Sequence, residues 1–544
     1  MPDNNNGKPQ VKTELRRDVT VWGSFMWGYA DVGADVYVAL GLVVAAAQGV
    51  ANIAFAAAGM VYILIGLCYT ELASAYPVAG GGHFFTLRGL GDFWGFVAGV
   101  ALLLDYTIDI ALFAYASAGY INFFIPAFKN FSIAFGPFQN INPIWALEAL
   151  LIIGFLVLLN IRGVRESSRL NEVLGILDLV TESSIIIIGL VFAFRPEILS
   201  DHWMQEFRHW HWSRFMYGSS LAIISYVGLE SISQAAQETR RPATIIPRSS
   251  VALIFTVFIF ATAFSTLALG IPGAMEKISQ NIGDPVAVLA HGIPYVGIIA
   301  GPFAAIIGAS ILLISSNTGV MGASRVTYSM SELGLIPKWF DKVHPRFQTP
   351  VRTIVVFSLL AVVQVLLSAL TKQAMDTLGN MYAFGATLGY LLVFISLLTL
   401  RFKDPYTPRP YKMPLNLKLN YKGRKVEFPV LGIFGLLGVS LILFEVILTH
   451  PIGRIAGPAW CVVCIIIYIL YRHRAGRPIF GNLKRNWEER QIEVLTSAEE
   501  YDLVENYKQA LIERDRERAR ASRTGPDNDK GTRPGADTGA PGND

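Results

Sequence analysis

The stretch "GYADVGADVYVALG", Gly28 to Gly41, decides how this chain is read. It sets Asp31 and Asp35 in one of the most apolar neighbourhoods of the sequence, after "VWGSFMW" and before "VVAAAQGVANIAFAAAGMVYILIGLCY". A helix that began only at Val36 and turned at the "AAQG" before Val50 would have about 12 residues and cover roughly 18 Å. A bilayer core is about 30 Å thick. The helix therefore starts near Val21, and the two carboxylates sit at membrane depth.

The rest of the chain has the same character. Apolar residues make up 53% of the 544 and charged residues only 16%, and the apolar residues come in long runs, so the fold class is an all-α polytopic membrane protein. About twelve spans are expected, at 22–47, 51–75, 92–122, 144–161, 170–194, 214–238, 246–271, 293–328, 351–371, 375–400, 428–449 and 455–471. Positive charge gathers after even-numbered spans: Arg162, Arg165 and Arg169, then Arg240, Arg241 and Arg248, then the basic loop from Arg401 to Lys425. The alternate loops carry mostly single positives, among them Lys129, Lys277, Lys372 and Arg454. The positive-inside rule then places both termini in the cytoplasm of a plasma-membrane protein.

The expected organisation is a cytoplasmic leader over 1–20 without a signal peptide, a transporter domain over 21–471, a charged helical tail over 472–523 and a disordered terminus over 524–544. "SAEE", Ser497 to Glu500, reads as a capping box for the tail helix. That helix reads as a solvated or headgroup-lying segment, with regulation as the alternative. Cys68, Cys461 and Cys464 all fall in apolar runs, where disulfides are not expected. The "CVVC" after Trp460 reads as small hydrophobes, with metal or redox chemistry as the alternative. "HWHW", His209 to Trp212, reads as interfacial anchoring, with an external metal site as the alternative. No metal and no cofactor is expected.

A charge at the bilayer centre costs on the order of 2.5–3.5 kcal/mol, and it usually faces a cavity or pathway. Here the mid-span charges share one sign: Asp31 and Asp35, Asp105 and Asp109 in "LLLDYTIDIALF", Asp178 and Glu182 in "ILDLVTESSI", and Glu230 in "SYVGLESIS". No Lys or Arg stands at mid-span to pair with them. The three pairs all have i, i+4 spacing, which puts both carboxyls on one helix face, where they repel unless a proton or cation lies between. Any one of them alone reads as a protonated structural carboxyl. Seven without a basic partner describe a cavity made for something positive. Gly28, Gly33 and Gly41 in span one and Gly228 in span six either allow close packing or break their helices. Breaks in corresponding positions of two five-span halves are where inverted-repeat transporters hold substrate and ion.

At these residues the chain resembles the amino acid, polyamine and organocation transporter superfamily, over roughly residues 18–471. "SYVGLESISQAAQETRRPATIIPRS" is similar to that superfamily's sixth helix and following loop, "ELASAYPVAGGGHFFTLR" to its second helix and re-entrant loop, and "SSNTGVMGASRVTYSMSELGLIPKWFDKVHPRFQTP" to its eighth helix and hairpin. The resemblance implies a five-plus-five inverted repeat with broken helices 1 and 6, and substrate between helices 1, 3, 6, 8 and 10. The mid-span charges and the resemblance together lead to expected substrate contacts at Asp31, Gly33, Ala34, Asp35, Asp105, Tyr106, Ser225, Tyr226, Gly228 and Tyr382, and ion or proton coupling at Asp109, Asp178, Glu182, Glu230, Ser315 and Ser316.

Two departures matter. Amino acid permeases of this kind usually carry a G-S-G-I-F-like string whose amides hold the substrate carboxylate, and "GADVYV" puts Asp35 where the second glycine belongs. The lysine that some proton-coupled members have on helix 5 is replaced by Asp178. A narrower resemblance, to the superfamily's potassium importers, rests on Asp31, on Asp105 with Tyr106, and on Tyr382 in "MYAFG"; Val227 occupies the place of the helix-six hydroxyl those importers use. The expected function is a secondary transporter of an amino acid or organic amine, coupled to protons or a cation and working by alternating access, with potassium import as the alternative. Its partners are that small molecule, the coupling ion and the lipid bilayer. It is neither an enzyme nor a nucleic-acid binder, and no phosphate-binding G-x-x-x-x-G-K-[ST] string is present.

Overall fold

The computed structural model describes residues 19–523 apart from 79, 136–137, 163–166, 235, 237–238, 348, 372, 422–423 and 451. Most of the leader, the 524–544 terminus, Arg165 and Lys372 lie outside the described residues. Among the described residues, eleven helical runs are long and apolar enough to cross a membrane. The first, Val21–Ala75, has 55 residues, about 80 Å of helix, and it turns at Gln48–Val50, where Gln48 adopts φ +50 and ψ −127. It therefore supplies two crossings.

The helices, numbered by crossing, begin with helix 1 (Val21–Val32, continued by Val36–Ala47), helix 2 (Ala51–Ala75), helix 3 (Asp92–Ile121), helix 4 (Pro143–Arg162) and helix 5 (Ser167–Phe192). Helix 6 starts as Trp212–Ala222 and resumes as Glu230–Gln234. Helix 7 (Pro242–Gly270), helix 8 (Gly297–Glu332), helix 9 (Val351–Ala369), helix 10 (Ala374–Lys403), helix 11 (Val430–Thr449) and helix 12 (Gly453–Arg474) follow. Their polarity is inside out. Leu147, Leu151, Phe155 and Leu158 form an exposed stripe on helix 4, and Phe434, Leu437, Leu441 and Phe444 form another on helix 11. The mid-span carboxyls are all buried. Spacing of three and four residues keeps each stripe on one helix face, which is the face lipid covers.

Helix 3 is the axis, packed along helices 8 and 10, while helix 2 packs along helix 7. The interruptions in helices 1 and 6 are unequal. In helix 1 a single 3-10 turn, Gly33–Asp35, separates the two halves and the backbone stays right-handed throughout. The Gly33 N–H still donates to the Tyr29 carbonyl, so the helix expected to break here is tightened rather than opened. Helix 6 tightens over Ile223–Tyr226, extends at Val227, and turns at Gly228 with φ +104 before Glu230–Gln234 restarts it.

The tail differs most from expectation. It forms two helices, Trp487–Ser497 and Tyr501–Arg523, and it packs against the ends of the crossing helices. Ser497 closes the first of them, its hydroxyl donating to the Val494 carbonyl at 2.9 Å, so "SAEE" is the joint between two helices and no capping box. Leu495, Ala498, Glu500 and Tyr507 are buried. Gln491 donates to the Ala75 carbonyl at the end of helix 2 (2.9 Å), and Arg485 reaches Asp92 at the start of helix 3 (2.6 Å) and the Leu333 carbonyl after helix 8 (2.7 Å). Arg241, before helix 7, faces Glu500 at 3.8 Å. The tail is thus docked through its first helix, the Glu500 joint and Tyr507, while most side chains from Lys508 to Glu517 are exposed, in keeping with the solvated reading. This end of the bundle also holds Val19, paired with Thr239; it is called the basic end below.

Candidate functional site

The seven carboxyls separate into two groups on either side of helix 1. Asp31, Asp35, Asp105, Asp109 and Glu230 lie within electrostatic reach of one another. All are at most 5% exposed. Asp31 stands against the helix-6 turn: a Cβ added at Gly228 would lie 2.9 Å from Asp31 Oδ2. Only a glycine lets the carboxyl approach the backbone so closely. Ser315 of helix 8 points its hydroxyl at Asp31 Oδ1 from 3.4 Å.

Glu230 opens the second half of helix 6, and its Oε2 accepts from the Tyr390 hydroxyl at 3.1 Å. Asp105 lies within hydrogen-bonding reach of Glu230, and two carboxyls can share such a bond only when one holds a proton. Asp105 therefore faces a carboxyl across the bundle on helix 6 as well as Asp109, its i, i+4 neighbour on helix 3. Asp109 instead lies beside Gly319 of helix 8, where an added Cβ would meet its Oδ2 at 2.6 Å.

Asp178 and Glu182 form the other group. The Tyr37 hydroxyl donates to Asp178 Oδ1 at 2.7 Å, and Tyr29 donates to Glu182 Oε2. These two tyrosines of helix 1 flank the Gly33–Asp35 turn and tie it to helix 5. Tyr120 extends the chain, donating to the Tyr37 carbonyl at 2.9 Å.

Of the remaining candidates, Gly33 and Ala34 sit in the tightened turn, both buried. Tyr106 packs its ring against Gly322, where an added Cβ would lie 2.6 Å away. Tyr382 lies within electrostatic reach of Asp35 and Asp109, its ring edge-on to Phe113 at 5.8 Å. Ser225 is buried with its hydroxyl unpartnered. Two are committed elsewhere: Tyr226 donates to the Phe55 carbonyl and stacks on Tyr62, and Ser316 donates to the Ile110 carbonyl. Tyr29, Tyr37 and Tyr390 are the donors that sequence reasoning missed.

Among the described residues no Lys or Arg side chain pairs with any of the seven carboxyls, although the fold pairs its other buried acids readily. Arg401 meets Glu71 at 2.7 Å, and Arg472 and Arg485 meet Asp92 at 3.4 and 2.6 Å. One oxygen each of Asp35, Asp105, Asp109, Asp178, Glu182 and Glu230 is buried without a hydrogen-bond partner. Buried acceptors are normally satisfied, and these oxygens are placed to accept from a hydrogen-bond donor or a cation.

A bundle of apolar crossings around an acidic, closed site with one broken helix defines a multi-pass membrane permease. Residues 20–470 match the amino acid permease family, and the chain belongs to that family; it is a transporter and not an enzyme. It is 25% identical to the branched-chain amino acid permease BcaP of Bacillus subtilis, over 86% of this chain and 95% of the relative. It is also 25% identical to the methylthioribose transporter of the same organism, over 81% and 90%. With cationic amino acid transporter 4 of Mus musculus it shares 27% identity, over 73% of this chain and 62% of the relative.

Proposed function

We propose that this permease carries an amino acid or organic amine through its positively charged group, by alternating access and with proton coupling. The observation that carries the proposal is the group of five buried carboxyls within electrostatic reach of one another, for which the described residues supply no basic partner. Asp31 and Asp105 take the ammonium, and Glu230 holds or releases the shared proton as the guest arrives. Asp35 opposes a substrate carboxylate near the helix-1 turn, which favours guests with excess positive charge. The mouse relative's name, a cationic amino acid transporter, agrees with this; the Bacillus relative named for branched-chain amino acids marks the contrasting preference. The basic end is read as cytoplasmic, by the positive-inside rule, and the membrane as the plasma membrane.

The test is uptake into proteoliposomes of radiolabelled lysine, arginine, a polyamine, leucine and rubidium, with and without a pH gradient. Uptake of the cationic compounds that rises with an inward proton gradient supports the reading. Rubidium uptake without organic uptake replaces it with potassium import, for which Asp31, Asp105, Tyr106 and Tyr382 are the supporting residues. Leucine uptake that exceeds lysine uptake refutes the role given to Asp35.

A further inference from the structure

Helices 10 and 11 are joined by an antiparallel hairpin, Asn416–Tyr421 and Arg424–Pro429, paired in unbroken register from Asn416 with Pro429 to Tyr421 with Arg424. Strand alternation sets Leu417, Leu419 and Tyr421 on one face, with Phe428 opposite Leu417 and Val426 opposite Leu419. Lys418 and Glu427 share the other face. The apolar face is left largely uncovered: Leu417, Leu419 and Tyr421 are 56%, 41% and 46% exposed. Between this face and the last turn of helix 10 runs a groove of about 960 Å³, with Thr399, Phe402, Lys403, Leu419, Tyr421 and Val426 in its walls.

The level of the groove follows from helix length. Helix 11 starts at Val430, directly after the hairpin, and has 20 residues, about 30 Å of helix. That is the thickness of the hydrocarbon core, so Val430 lies at the core's edge and the base of the hairpin lies with it. An apolar face at that level meets lipid. Its rim is positive. Lys412 is held by Glu427 at 2.6 Å, and Asp404 is neutralised by Arg88 at 2.6 Å. The Lys403 ammonium donates to the carbonyls of Arg88 and Gly89, each at 3.2 Å, which fixes it at the rim with a third donor to spare.

We propose that this hairpin and groove bind an anionic phospholipid from the leaflet at the basic end, with an acyl chain along Phe402, Leu419 and Tyr421 and the phosphate at Lys403. Charge complementarity and continuity with the lipid-facing surface of helix 11 identify the occupant.

The test uses the full chain in detergent with added phosphatidylglycerol or phosphatidylcholine, read by native mass spectrometry and thermal midpoint. Wild-type protein retains phosphatidylglycerol in preference to phosphatidylcholine by about five-fold, the factor one basic contact at an anionic surface is worth. Lys403→Gln abolishes the preference, and Leu419→Asn lowers retention of both lipids. Because Leu419 is exposed, Leu419→Asn keeps the fold and decides the matter if Lys403→Gln fails to fold. Equal retention of the two lipids, undiminished retention by Leu419→Asn, stabilisation by inorganic phosphate equal to that by phosphatidylglycerol, or a dimer lost on Leu419→Asn would each overturn the proposal.

Discussion

Replacing Gly228 by alanine isolates the helix-6 turn from the rest of the bundle. The residue has φ +104, a conformation that costs a residue with a Cβ on the order of 1–3 kcal/mol. The new methyl would also lie 2.9 Å from Asp31 Oδ2 and 3.1 Å from both Asp31 Cγ and Val32 Cγ2, so Asp31 must move. Moving it lengthens an already long 3.4 Å contact from Ser315. If the displacement and the strain together cost about 1.4–2.8 kcal/mol, affinity for a cationic substrate falls roughly ten- to a hundredfold. Gly154→Ala is the control: nothing lies within 4 Å of its added Cβ, and in the helical interior alanine gains about 0.5–1 kcal/mol over glycine. Binding by scintillation proximity and thermal midpoint are measured on the same purified batches. Gly228→Ala protein that binds with wild-type affinity and melts normally would refute a broken helix 6 at the substrate; lowered stability with intact affinity would reduce Gly228 to a packing residue.

Asp35→Gly should raise the ratio of zwitterion to simple-cation binding in competition assays, and an unchanged ratio would make the residue structural. Asp105→Asn removes the carboxyl that shares a proton with Glu230, so uptake should lose its dependence on external pH while Asp109→Asn retains part of it; equal profiles would return the pairing to helix 3. Burial pushes the His450 imidazole down from 6.5 to about 4, against an opposing hydrogen bond at Asn380. The folded state thus holds fewer protons there than the unfolded chain. That stability is complete above about pH 6.5 and is lost as pH falls toward 4, by ~3 kcal/mol at most. His450→Gln should flatten the thermal midpoint across that window, and an unaltered slope would clear His450 of the effect. Asp92→Asn leaves the fully buried Arg472 facing an uncharged amide, a loss of about 3–5 kcal/mol. Trypsin should then cut between residues 484 and 490 faster than in wild type, and an unchanged cleavage rate would mean the tail is held elsewhere.

What the sequence conveyed well was cost. Charges in apolar runs are expensive enough that seven of one sign point to a site, and hydrophobic length located the crossings to within a few residues. Gly228 was legible for the same reason, as a glycine between polar residues at mid-span. Partnership across the bundle was much less legible. The i, i+4 rule sees only one helix, so it joined Asp105 to Asp109 and could not see Glu230. Tyr29, Tyr37 and Tyr390 were hidden because tyrosine is at home in apolar helices whether or not its hydroxyl has work to do. The partners of these three stand 141 to 160 residues away. The tail was hard to read because an amphipathic charged helix satisfies membrane, solvent and protein surfaces alike; only the burial of Glu500 and Tyr507 distinguishes them.

The two carboxyl groups differ in a way that bears on why both persist. Asp178 and Glu182 each accept from a tyrosine fixed to helix 1, so their hydrogen bonds are made within the protein and hold the Gly33–Asp35 turn from both sides. The other five accept from Ser315 at a long 3.4 Å and from Tyr390 at 3.1 Å, with Ser231 beside Asp31 and the Gly228 backbone beside Glu230. On the proposed function the cationic guest is taken by the group of five, and the pair bound by two tyrosines stays as it is. The tightened helix 1 is held between the two, whereas helix 6 is extended at Val227 and turned at Gly228. If Asp31 and Asp105 take the ammonium as proposed, the guest lies against the helix-6 turn, while Tyr29 and Tyr37 tie helix 1 to helix 5.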